Sequence, residues 1–172
     1  MAVELLRIDD RLVHGQVVEG WVKALRINAI VVASDAVDAD DTQKALYFLA
    51  VPHGVELSCL KLSDAASQWK RGEWKNNRAL VLVSTPQEAL DLYKAGAPLK
   101  FVNLGGLHYC AGRVPILKGI SLDDADVRAL KELAANGVVL EARALPLDEP
   151  VDIVRYLERW QEERDAFREL PR

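Results

Sequence analysis

Two rhythms alternate along the chain. Short runs rich in β-branched residues give way to longer segments whose apolar residues recur every three to four positions, with Gly, Pro, Ser or Asp at the joints. The runs predict strands at Val3–Ile8, Ala29–Ala33, Val55–Leu60, Ala79–Val83, Lys100–Asn103 and Val138–Ala144, with a short one near Ile116–Ile120. The longer period predicts helices at Gly15–Leu25, Asp41–Ala50, Asp64–Lys70, Pro86–Ala95, Asp123–Asn136 and Pro150–Arg168. Strands alternating with helices imply an α/β fold, a doubly wound, mostly parallel sheet with helices on both faces, in one domain over 1–172. The runs "AIVVA" and "ALVLV" are apolar on both faces, as central parallel strands must be. Thr85-Pro86 with Glu88 reads as a helix start, and Gly96 and Asn136-Gly137 read as helix ends.

Composition narrows the classes of function. Half of the 172 residues are apolar, 28% are charged and the net charge is -4, which excludes a disordered chain and disfavours a basic, nucleic-acid-coating one. No apolar run approaches the ~20 residues of a membrane span, and no signal peptide opens the chain, so a cytoplasmic protein is expected. Cys59 and Cys110 fit neither a CxxC nor a zinc spacing and are expected to be reduced core thiols. The charged tail "YLERWQEERDAFRELPR" reads as a solvated terminal helix. An apolar edge cannot be told from core by pattern, so the oligomeric state stays open, a homo-oligomer included.

In an open parallel sheet, ligands bind beyond the carboxyl ends of the strands. The loops to watch are therefore "DDRLVHG", "SDAVDADD", "STP" and "NLGGLHYCAGR". In the first, His14 stands just before a helix start, where the N–H groups of Gly15, Gln16 and Val17 are available to an anion. Arg11 adds a planar cationic fork suited to phosphate oxygens, and a neutral imidazole has a lone pair for attack on phosphorus. Asp9 or Asp10 would orient the ring or hold Arg11 in place. The residues alone also fit, more simply, a capped helix with an incidental exposed histidine. The Gly105-Gly106 pair allows a close backbone approach, and the hydroxyls of Ser84 and Thr85 are candidate donors as well as a helix cap. His108 is either a second site residue or a polar loop residue, and His53 falls at the amino end of its strand, on the opposite rim. The three histidines lack the spacing of a metal site.

The stretch "RIDDRLVHGQV" closely resembles the N-terminal motif of the IIB components of the mannose/fructose/sorbose family of the phosphoenolpyruvate-dependent sugar phosphotransferase system. "AVPHGVEL", "STPQEALDLYKAGAPLKFVNLGGLHYCAGR" and "ALPLDEPVDI" are similar to later family segments in the same order, so the likeness spans essentially the whole chain. It implies that His14 accepts a phosphoryl group at Nδ1 from a IIA partner and passes it to a sugar delivered by membrane IIC/IID components. On this reading, Arg11 would clamp the phosphate, Asp9 would orient the ring and Gly15 and Gln16 would offer N–H groups. Asn103, Gly105 and Gly106 would line the opposite wall, and no metal or organic cofactor is called for. Two other outputs fit the same loops: a phosphohistidine regulator uncoupled from transport, and a non-catalytic module that binds a phosphorylated metabolite.

Overall fold

A computed structural model describes residues 3–169. Its main sheet has seven strands in the order β3-β2-β4-β1-β5-β8-β9: β1 (Val3–Asp9), β2 (Ala29–Ala33), β3 (Glu56–Leu60), β4 (Ala79–Val83), β5 (Phe101–Gly106), β8 (Val139–Ala142) and β9 (Val151–Asp152). Every pairing is parallel except β8 with β9. The expected doubly wound, mostly parallel sheet is therefore observed. Strand β1 lies between β4 and β5; from it the chain builds first one half of the sheet and later the other. The reversal falls between the carboxyl ends of β1 and β5, where a crevice forms.

Both faces of the sheet are covered. On β2, Ile30 and Val32 pack with Val17, Trp21 and Tyr47, whereas Val31 and Ala33 pack with Ala66, Leu90 and Leu92 on the other side. Alternate strand residues thus enter two separate cores, and the uninterrupted apolar runs are explained.

Helices α2 (Asp41–Ala50), α3 (Leu62–Arg71), α4 (Pro86–Lys94) and α5 (Asp124–Ala135) agree with the sequence pattern to within two residues at each end. Their ends are closed chemically. Thr85 accepts from the Glu88 N–H at 3.1 Å, and Asp123 and Asp126 form a reciprocal capping box. Gly96 and Gly137 both have positive φ after their helices. Replacing Asp123 with Ala is expected to cost about 1 kcal/mol in a urea titration, the usual worth of such a cap.

Four expectations need correction. The segment read as a short strand at 116–120 is a hairpin of β6 (Val114–Leu117) and β7 (Ile120–Leu122), turned by Gly119 at positive φ. The long helix read over 150–168 is divided into β9, α6 (Val154–Glu158) and α7 (Trp160–Arg168), with the end of the charged tail, 170–172, outside the described residues. The loop after β2 holds one short helix, α1 (Asp35–Asp38). Cys59 is half-buried against the core, but Cys110 is exposed and is not a core thiol. Among the described residues, no helix is long and apolar enough to cross a membrane.

Candidate active site

The site grows from one charged residue set inside an apolar strand. Arg7 and Asp9, two apart on β1, share a face, and both are fully enclosed. The Arg7 guanidinium donates to Asp9 Oδ2 at 2.9 Å, to Asn103 Oδ1 at 2.6 Å and to the Arg143 carbonyl at 2.9 Å. Its Nε has no acceptor among the described residues, and its flat face lies 5.3 Å from the Trp21 ring centre. Burial pushes the Arg7 pKa down, and Asp9 pulls against that shift. Burial alone would raise the pKa of Asp9, but the His14 hydrogen bond and the charge of Arg7 outweigh it and hold the carboxyl below its usual range.

Asp9 holds His14 in turn. His14 Nε2 lies 2.9 Å from Asp9 Oδ2, while Asp9 Oδ1 accepts the Arg11 backbone N–H at 3.2 Å. A carboxylate only accepts, so it selects the ring form with hydrogen on Nε2 and leaves the lone pair on Nδ1. The adjoining Asp10 turns the other way, as successive residues at a strand end do. Its carboxylate accepts from the His108 backbone N–H at 2.6 Å and contacts His108 Nδ1 at 2.7 Å. Asp9 thus contacts His14, and Asp10 contacts His108.

The helix expected over 15–25 is present, but most of it, Gln16–Val22, is a π-helix. The His14 carbonyl accepts the N–H groups of Val17 and Val18, so the Val17 N–H expected to face an anion is already used. Those of Gly15 and Gln16 have no acceptor among the described residues. At Gly20 this helix lies against Leu145 and Pro146 of the loop after β8, and Trp21 Nε1 donates to the Ala144 carbonyl at 3.0 Å. Such local widening of a helix is common beside functional sites.

The remaining candidates divide by location. Arg11 is partly exposed, bonds the Gln16 side chain at 3.0 Å, and shares with Gln16, Gly105, Gly106 and His108 the wall of a cavity of about 530 Å³. The volume falls in the range of small-molecule sites. Asn103 is buried and spends its amide on Arg7, Glu141 and the Arg143 carbonyl. Gly105 has a packing role: an added Cβ would lie 1.7 Å from Arg7 Cζ, and one on Gly106 would lie 3.2 Å from Asp9 Oδ1. Ser84 donates its N–H and hydroxyl to Glu88, and Thr85 serves as the cap. Ser84 borders a different depression with Asp10, Arg11 and Tyr47. His53 is exposed at the amino end of β3, away from these groups. Among the described residues no three His, Cys, Asp or Glu side chains gather as a metal site.

Arg7, Arg143 and Trp21 are the residues that reading the sequence missed. The available signal was an arginine inside "VELLRID", a strand otherwise apolar along its middle.

Comparison with known proteins agrees with this geometry. Residues 3–167 match the family model described as the PTS system sorbose subfamily IIB component. The chain is 36% identical to the sorbose-specific EIIB component of Lacticaseibacillus casei, over 90% of this chain and 94% of that one. It is 34% identical to the fructose-specific EIIB component of Bacillus subtilis, over 91% and 96%. The crystal structure of the IIBSor domain of the Klebsiella pneumoniae sorbose permease superposes with a TM-score of 0.85 at 30% identity, covering 94% of this chain and 98% of that one. The chain therefore belongs to the mannose/fructose/sorbose family of IIB components, in which a phosphohistidine relays phosphoryl groups toward sugar.

Proposed function

We propose that His14 is the phosphoryl acceptor of this chain and that Nδ1 is the attacking atom. The observation that carries this reading is the 2.9 Å contact between His14 Nε2 and a buried Asp9. With Nε2–H pinned there, the Nδ1 lone pair forms the new N–P bond while the bond from phosphorus to the donor histidine breaks in line. The ring becomes cationic as it takes the group, and Asp9 balances that charge. Arg11 offers its guanidinium to the phosphoryl oxygens, and the unoccupied N–H groups of Gly15 and Gln16 add two donors. Arg7, Asn103 and Gly105 act one layer down by fixing Asp9.

The donor on this reading is a IIA phosphocarrier, and the acceptor is a sugar presented by membrane IIC/IID components. The domain then works in the cytoplasm, at the membrane face when docked to the permease. Neither metal nor organic cofactor enters the step, because imidazole supplies the nucleophile and fixed donors supply the charge.

The test is to incubate the protein with phosphoenolpyruvate, the general phosphocarrier proteins and a cognate IIA, then map the label. Acid-labile phosphate on His14, shown by nitrogen–phosphorus NMR coupling to be on Nδ1, is the expected result. Absence of label, or label on Nε2 or on another histidine, overturns the assignment.

A further inference from the structure

The Asp10–His108 pair is left unused by the phosphoryl-acceptor reading. We infer that His108 is the base that takes the proton of the acceptor hydroxyl when the phosphoryl group leaves His14 for an alcohol; the inference rests on the acceptor role of His14.

The two half-reactions differ in their proton demand. When one imidazole hands phosphate to another, a lone pair is consumed on His14 and one is regained on the donor, and no proton has to move. When the acceptor is an alcohol, the P–N bond to His14 breaks and a P–O bond forms, and the hydroxyl must lose its proton. The departing His14 ring regains a lone pair at Nδ1 and keeps the hydrogen that Asp9 holds at Nε2. A separate acceptor for the hydroxyl proton assists that step only.

His108 has the form of such a base. Asp10 contacts its Nδ1 at 2.7 Å, which places hydrogen on that nitrogen and leaves the Nε2 lone pair open. The ring is half-exposed and borders the same 530 Å³ cavity as Arg11 and Gln16, whose volume is large enough for an alcohol of monosaccharide size. The same cavity is also lined by Lys118, Asp148 and Glu149, groups able to hydrogen-bond sugar hydroxyls. The loop does not hang free. Asp10 also accepts the His108 N–H at 2.6 Å, and Arg113, paired with the buried Asp126 at 3.2 Å, donates to the His108 carbonyl at 3.3 Å. Consecutive aspartates at the end of β1 therefore contact one histidine each.

The experiment measures the two half-reactions separately. Wild type, His108→Gln and Asp10→Asn are charged with labelled phosphate through phosphoenolpyruvate and IIA. Each is then mixed with membrane vesicles holding the cognate IIC/IID and its sugar. The ratio of discharge rate to charging rate is expected to fall about 10²-fold in His108→Gln, the scale of a lost general base, and in the same direction but less in Asp10→Asn. A ratio within about threefold of wild type, or equal losses in both half-reactions, would overturn the inference by showing a spectator or a loop strut. If wild type itself takes no label, what fails is the His14 assignment, and the two failures are thus told apart.

Discussion

Gly105→Ala is expected to destabilise the domain by about 3–5 kcal/mol, the range for breaking a buried ion pair. The added Cβ would lie 1.7 Å from Arg7 Cζ and about as close to both terminal nitrogens, at 2.0 and 2.1 Å. Neither side can yield cheaply. Gly105 is the extra residue of a bulge in β5, held on one side by Leu104, which pairs with Ile8 and Ala142, and on the other by Gly106, which pairs with Asp9. Arg7 is enclosed on every side, and its two terminal nitrogens are committed to Asp9, Asn103 and the Arg143 carbonyl. Relief therefore requires the guanidinium to leave, which strands the Asp9 charge in a dry site. Urea titration of Gly105→Ala, Arg7→Met and the double variant provides the check. The double variant should cost clearly less than the sum of the two singles, because removing the guanidinium removes the clash. A cost below about 1 kcal/mol for Gly105→Ala, or full additivity, would contradict the packing argument.

Asp9→Asn is expected to give the largest loss of rate, about 10²-fold or more in phosphoryl uptake, as misplacing a catalytic histidine or reversing its tautomer does. Every partner of the Asp9 carboxylate is a donor: the Arg7 guanidinium and His14 Nε2 on one oxygen, and the Arg11 N–H on the other. An amide has a single acceptor oxygen, so an –NH₂ must confront one of these donors. If it faces His14, the ring is driven to place hydrogen on Nδ1, and the attacking lone pair is lost. Even in the other orientation the negative charge that balances a phosphorylated ring is gone. Single-turnover uptake of label, measured at a temperature where circular dichroism shows the variant folded, separates chemistry from unfolding. A rate within about threefold of wild type would sink the orienting role.

The same residue predicts an acid dependence. The folded pKa of Asp9 is held below the unfolded carboxylate value of about 3.9, so its contribution is complete above that value and is lost as pH falls through the lower folded one. The stability gap between wild type and Asp9→Asn should therefore narrow as the solution is acidified below about pH 4.

Local chemistry made much of the fold legible. The both-faced apolar runs at 29–33 and 79–83 announce covered central strands, and the start at Thr85 and the end at Asn136-Gly137 place α4 and α5 to within a residue. Such signals are carried by neighbours in the chain and survive without tertiary context. The periodic stretch from 150 to 168 misled because two residues of it pair with the edge of β8, a contact no local pattern records. The π-helix was hidden for a similar reason, since its widened turns fit against Leu145 and Pro146 from the other half of the sheet.

At the site, the sequence by itself determined that a histidine, an arginine and two acids meet at the end of the first strand, and through family resemblance that the histidine is the one to watch. Only the tertiary structure decided which acid serves which histidine, that Asn103 and Gly105 exist for Arg7, and that Ser84 and Thr85 are occupied by Glu88. Adjacent residues at a strand end point to opposite sides, so two neighbouring aspartates are alike in sequence and unlike in space. What surrounds each is supplied by strand β5, nearly a hundred residues away along the chain, as the 96-residue separation of Arg7 and Asn103 illustrates.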